Sequence, residues 1–120
     1  DVSQLHMSEI ARSLHTRLSS ELSADNPKVI ELPESKSISY HSPAFFLEVI
    51  PRKRYLTLLL APDFNEIDDP DEIAADASKW TFVMFAKHDG GVIVEIRDDE
   101  DIENAMPLIR QAQHLVVAGG

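Results

Sequence analysis

Two apolar segments stand four residues apart near the middle of the chain. Phe45–Ile50 and Tyr55–Leu60 are rich in aromatic and aliphatic side chains, and Pro51-Arg52-Lys53-Arg54 joins them. Four residues is the length of a hairpin loop. In the second segment Leu56, Leu58 and Leu60 alternate with Thr57 and Leu59, so one face of that strand is expected in a core. Strands joined by a short loop must run antiparallel. The hairpin therefore commits the chain to an antiparallel sheet, and the other segments must be fitted around it.

Residues 3–24 read as a helix. Met7, Ile10, Leu14, Leu18 and Leu22 recur at spacings of three and four, Ser3 is a candidate cap, and Asp25-Asn26-Pro27 stops the run. Lys36–His41 reads as a short strand with Ile38 and Tyr40 on one side. Asp69-Pro70-Asp71-Glu72 has the form of a helix start, with Asp69 as N-cap, Pro70 at the first helical position and Glu72 closing a capping box. That helix is predicted to end near Ser78. Thr81–Lys87 and Val92–Arg97 form a second predicted hairpin across His88-Asp89-Gly90-Gly91, whose glycines supply the positive φ of such turns. A last helix runs from about Glu100 to Val117, capped by Asp98 or Asp99, with Ile102, Ala105, Met106, Ile109, Ala112 and Val116 as its apolar stripe. Pro107 lies inside it and is predicted to kink or split it. The sum is a single α+β domain over residues 1–120. It has about five mainly antiparallel strands, N- and C-terminal helices packed on one face, and a short acidic helix between strands.

Charge narrows the function. The 120 residues carry a formal net charge of −10. Residues 1–60 are neutral, with seven basic and seven acidic side chains, whereas residues 61–120 hold four basic and fourteen acidic ones. The acidic half repels phosphate backbones, which disfavours a broad nucleic-acid face. There are no cysteines, so disulfides, thiol catalysis and thiolate metal sites are excluded together. No apolar run approaches the roughly 20 residues that span a bilayer. No basic-then-apolar leader pattern is present. The first residue is Asp1, so the chain is expected to be a piece of a longer or processed protein, cytoplasmic and without a membrane partner.

Motifs for catalysis and cofactors are missing. A calcium loop starting at Asp63 would place Ile67 at the fifth position and Asp68 at the sixth, where oxygen and glycine are needed. One starting at Asp98 fails at Ile102. His6, His15, His41, His88 and His114 show no metal-ligand spacing, and there is no GxSxG elbow. Gly90, Gly91, Gly119 and Gly120 are the only glycines, which rules out a Walker loop and a GxGxxG site. No catalytic, cofactor or metal residues are expected. Arg52, Lys53 and Arg54 form the one cationic cluster, with Tyr40 and His41 expected nearby as a binding patch. Trp80 stands at an element boundary, and the strand after it is apolar on both sides, so Trp80, Val83 and Phe85 are candidate interface residues.

One ordered series carries a family resemblance. It begins at Tyr40, passes through Phe46 into Ile50-Pro51-Arg52-Lys53, and continues with Leu56–Leu60, Asp68-Asp69-Pro70 and Asp76-Ala77-Ser78. Val92–Ile96, Glu100-Asp101-Ile102 and Leu108-Ile109-Arg110-Gln111-Ala112 close it. Over roughly residues 35–115 the chain resembles an uncharacterised bacterial domain-of-unknown-function family labelled "predicted transport protein". The resemblance implies a small α+β domain that occurs alone or C-terminal to nuclease-like or restriction-type modules. It carries over no catalytic residue. Relatives tend to have a glycine-containing loop where this chain has Lys79–Ala86 without glycine, so a ligand role of that loop does not transfer.

The expected function is that of a non-catalytic protein-interaction or accessory module of a bacterial protein. Its expected contacts are a partner protein, a fused domain or a second copy of the chain. The alternative is a nucleic-acid-associated recognition domain of a restriction or defence-type system, using the basic hairpin 51–54.

Overall fold

The computed structural model describes residues 6–34, 36–42, 44–77 and 91–119. Among them are two helices, α1 (Glu9–Asp25) and α2 (Asp99–Gly119), and six strands. The strands are β1 (Ile30–Pro33), β2 (Ile38–His41), β3 (Phe45–Pro51), β4 (Leu56–Leu60), β5 (Ala74–Asp76) and β6 (Val92–Ile96). They form one sheet in the order β1-β2-β3-β4-β6-β5, and every neighbouring pair is antiparallel. The fold is therefore α+β, with the sheet and terminal helices the sequence implies.

Register explains the core. Ile38 pairs with Val49, Val49 with Leu58 and Leu58 with Val94, so one row of side chains crosses four strands on one face. Leu47, Leu60 and Val92 make the next row. Leu14, Leu18 and Leu22 of α1 and Ile102, Met106 and Ile109 of α2 pack into the same cluster, so both helices lie on this face. The opposite face is also buried where β2, β3, β4 and β6 meet. Leu59, Ala77 and Ile93 form a second small cluster, and Ser37, Ser39, Glu48 and Thr57 are buried polar residues there. All five positions of β4 are buried, not the one alternating set its pattern suggests.

Several expectations need correction. α1 begins at Glu9 and not at residue 3, capped by Ser8, whose hydroxyl accepts the Ala11 N–H at 3.1 Å; the expected cap, Ser3, lies outside the described residues. Ile10 is 48 % exposed, and Ala11 and His15 take its place on the buried face. The acidic helix after Asp69 is not formed. Phe64–Glu66 make a single 3-10 turn, and Ala74–Asp76 are strand β5. Asp69 does act like a cap, accepting the N–H groups of Ile73 (3.1 Å) and Ala74 (2.9 Å). However, Glu72 takes a φ of 54°, which turns the chain out of a helical path into the strand. Strand β1 was absent from the sequence reading. Pro107 does not split α2, which is continuous from Asp99 to Gly119. Pro107 lies on the exposed side, so water can take the bond its ring removes from Glu103. Asp98 caps α2, accepting from the Asp101 N–H at 2.9 Å, while Asp101 accepts from the Arg97 N–H at 2.8 Å. The first strand of the second predicted hairpin, Thr81–Lys87, lies outside the described residues. Gly91, at its other end, has a φ of 113°, and a Cβ there would sit 3.0 Å from the Leu60 carbonyl oxygen.

Candidate functional site

The β3–β4 turn is held from three sides. The Arg52 N–H donates to the Tyr55 carbonyl at 2.8 Å, closing the turn. Arg52 Nε donates to Thr57 Oγ1 at 3.1 Å, which ties the side chain to β4. Ser8, the cap of α1, donates its hydroxyl to the Lys53 carbonyl at 2.6 Å. The register Leu56–Ile96 places Arg97 beside Tyr55, and its guanidinium lies 4.5 Å from the ring centroid. Arg97 Nη2 also meets Glu95 Oε1 at 2.8 Å. Lys53 and Arg54 are exposed. The result is a cationic platform: a turn of fixed backbone bearing two exposed cations, next to one half-buried aromatic ring that Arg97 covers.

Tyr40 and His41 are not part of it. His41 pairs with Phe45 at the start of β3, whereas Arg52 follows its end. Seven strand residues at about 3.3 Å each put the two roughly 20 Å apart. A bulge between Tyr40 and His41 shifts the register there, and His41 makes an edge contact with Phe45 at 5.6 Å. Tyr40 is 1 % exposed on the helix-covered face, so its ring is not available for stacking. Trp80, Val83 and Phe85 lie outside the described residues.

Tyr40 instead joins a network that sequence reasoning missed. Its hydroxyl donates to Glu31 Oε2 at 2.6 Å and lies 2.7 Å from His15 Nε2. Ser19 donates to the same Glu31 oxygen at 2.9 Å. A carboxylate only accepts, so the phenol proton goes to Glu31 and His15 Nε2 must be the donor to the phenol oxygen. Burial holds the His15 imidazole below its ordinary pKa; Glu31 partly offsets this and Arg12 adds to it. Burial first, then the hydrogen bond and charge of Glu31, pushes the Tyr40 phenol up. A phenol so disposed stays protonated, and the network joins α1, β1 and β2. The available signal was His15, one turn from Ala11 on the leucine stripe; without β1, Glu31 could not be placed against it.

A second histidine cluster has a different geometry. Ser39 Oγ lies 3.2 Å from His41 Nε2 and donates to Glu34 Oε2 at 3.0 Å. An activated serine needs the carboxylate on the far ring nitrogen of the histidine, not on the hydroxyl itself. An open cleft of about 370 Å³ lies between the end of α1, Ser42 and α2. There Ser42 Oγ accepts from Asn26 Nδ2 (2.8 Å) and Gln113 Nε2 (3.2 Å), and Arg110 Nε pairs with Asp25 at 2.8 Å. Its polar groups thus serve one another. Among the described residues, no group of three or more His, Asp or Glu is placed to hold a metal ion, and no helix is long and apolar enough to cross a membrane.

Comparison of the chain with protein-family models, curated proteins and solved structures finds no match in any of the three.

Proposed function

We propose that the chain is a non-catalytic interaction module of a bacterial cytoplasmic protein, and that the β3–β4 turn contacts an acidic segment of a partner or fused domain. The carrying observation is the platform of Lys53, Arg54 and the Arg97–Tyr55 stack, held by bonds from Ser8, Arg52 and Thr57. A turn whose backbone and neighbours are already bonded loses little entropy on docking. Arg97 and Tyr55 belong to the residue types that dominate binding energy at protein interfaces. The whole chain's net charge of −10 limits an anionic partner to a short contact at this end.

Fluorescence anisotropy tests this with labelled peptides rich in Asp and Glu beside neutral peptides of the same length. Lys53→Ala/Arg54→Ala is expected to weaken the acidic peptide about tenfold while the fold is kept. Equal affinity for both peptides would sink the reading. Tighter binding to single-stranded DNA or RNA, with a steep salt dependence, would replace it with the nucleic-acid one.

A further inference from the structure

We infer that two copies of this chain associate through β1, edge to edge and antiparallel, about a twofold axis at Glu31. Among the described residues β1 has a strand on one side only. The Glu34 N–H donates to the Ser37 carbonyl at 2.7 Å, which fixes the phase of the ladder. Residues 30, 32 and 34 therefore direct their backbone groups at β2, and Glu31 directs its N–H and C=O outward. Two Glu31 residues facing each other would exchange both bonds.

The side chains agree with that register and with no neighbouring one. On the face away from the helices β1 presents Ile30 and Leu32, and Glu34 follows on the same side, where its carboxylate accepts from Ser39. Centred on Glu31, an antiparallel copy sets Ile30 against Leu32, twice by symmetry. Ile30 is 54 % exposed and Leu32 44 %, two of the few large apolar side chains left to solvent. Centring on Leu32 would set Ile30 against Glu34; centring on Ile30 would leave each Leu32 opposite position 28, beyond the start of the strand. The two Glu31 carboxylates would share the other face, but each is drawn back over its own β2 by Tyr40 and Ser19. Pro33 has no N–H to give, and the Val29 N–H is held by Asn26 at 3.1 Å, so the ladder is short and the dimer weak.

Sedimentation velocity from about 10 μM to about 1 mM covers the range in which a small interface is half-occupied. The full chain is expected to shift from monomer to dimer. Leu32→Lys is expected to remove the shift. Ile30→Lys should remove it as well, since Ile30 faces Leu32 in both symmetric pairs. Circular dichroism checks that each variant keeps the fold. A monomer throughout, or a dimer indifferent to Leu32→Lys or to Ile30→Lys, would overturn the proposal. None of these outcomes touches the β3–β4 turn, so peptide binding there is judged separately.

Discussion

Among the described residues, the two edges of the sheet are finished in opposite ways. β5 is three residues long, and the Asp69 side chain takes the outward Ala74 N–H, so that edge offers little to another strand. β1 leaves the Glu31 N–H outward and carries exposed Ile30 and Leu32; Pro33 is its main protection. The inner side of β1 is the better anchored, since Glu31 binds Tyr40 and Ser19. One edge is closed by a side chain from its own loop; the other is firmly held from within and open outward. Edge protection in this molecule is therefore local, built by whichever loop approaches each strand.

Breaking the inner anchor should have the largest effect. Tyr40→Phe leaves a buried His15 N–H and the Glu31 carboxylate without their shared partner, at a cost of about 1–3 kcal/mol. Urea unfolding reads the loss, and a change below a few tenths would mean water replaces the hydroxyl. Asp69→Ala should cost less, about 1–2 kcal/mol, by releasing two backbone N–H groups. Hydrogen exchange should speed up at Ala74 and not at Ile38; equal change at both would show that the β5 edge is not separately closed.

The His15 titration gives a smaller effect. Its folded pKa lies below the ordinary value of about 6.5, so the unfolded chain binds the proton first. Stability is complete above that value and declines as pH falls through it toward the lowered one. His15→Gln keeps a donor for Tyr40 and should flatten that decline as pH falls below about 6.5; an unchanged slope would assign it to other groups. Lys53→Ala/Arg54→Ala should shift stability least, within about 0.5 kcal/mol, because both side chains are exposed. A larger loss would make the platform structural.

Legibility followed local order. The central hairpin, both amphipathic helices, the Asp25-Asn26-Pro27 stop and a cap at Asp98 or Asp99 could be read because each depends on residues within one turn or one strand. Asp69 shows the limit. Its pattern signals a run of N–H groups needing an acceptor, and the structure supplies them, but from a strand edge instead of a helix. Strand β1 escaped because it is only four residues long and ends in Pro33, a residue that argues against a strand. The binding patch was half legible: Arg52, Lys53 and Arg54 share a turn, whereas Arg97 reaches Tyr55 only because β6 pairs with β4.

The sequence by itself determined the central hairpin, the two amphipathic helices, that the sheet is antiparallel, and that the cationic turn sits at a hairpin tip. Periodicity and loop length act over a few residues, so they are written in the order of the side chains. Tertiary structure alone decided that β6 lies between β4 and β5, that Tyr40 turns inward to His15 and Glu31, and that His41 ends up a strand length from Arg52. Those outcomes depend on which strands pair and in what register, and pairing joins residues far apart in the chain through contacts that no local pattern encodes.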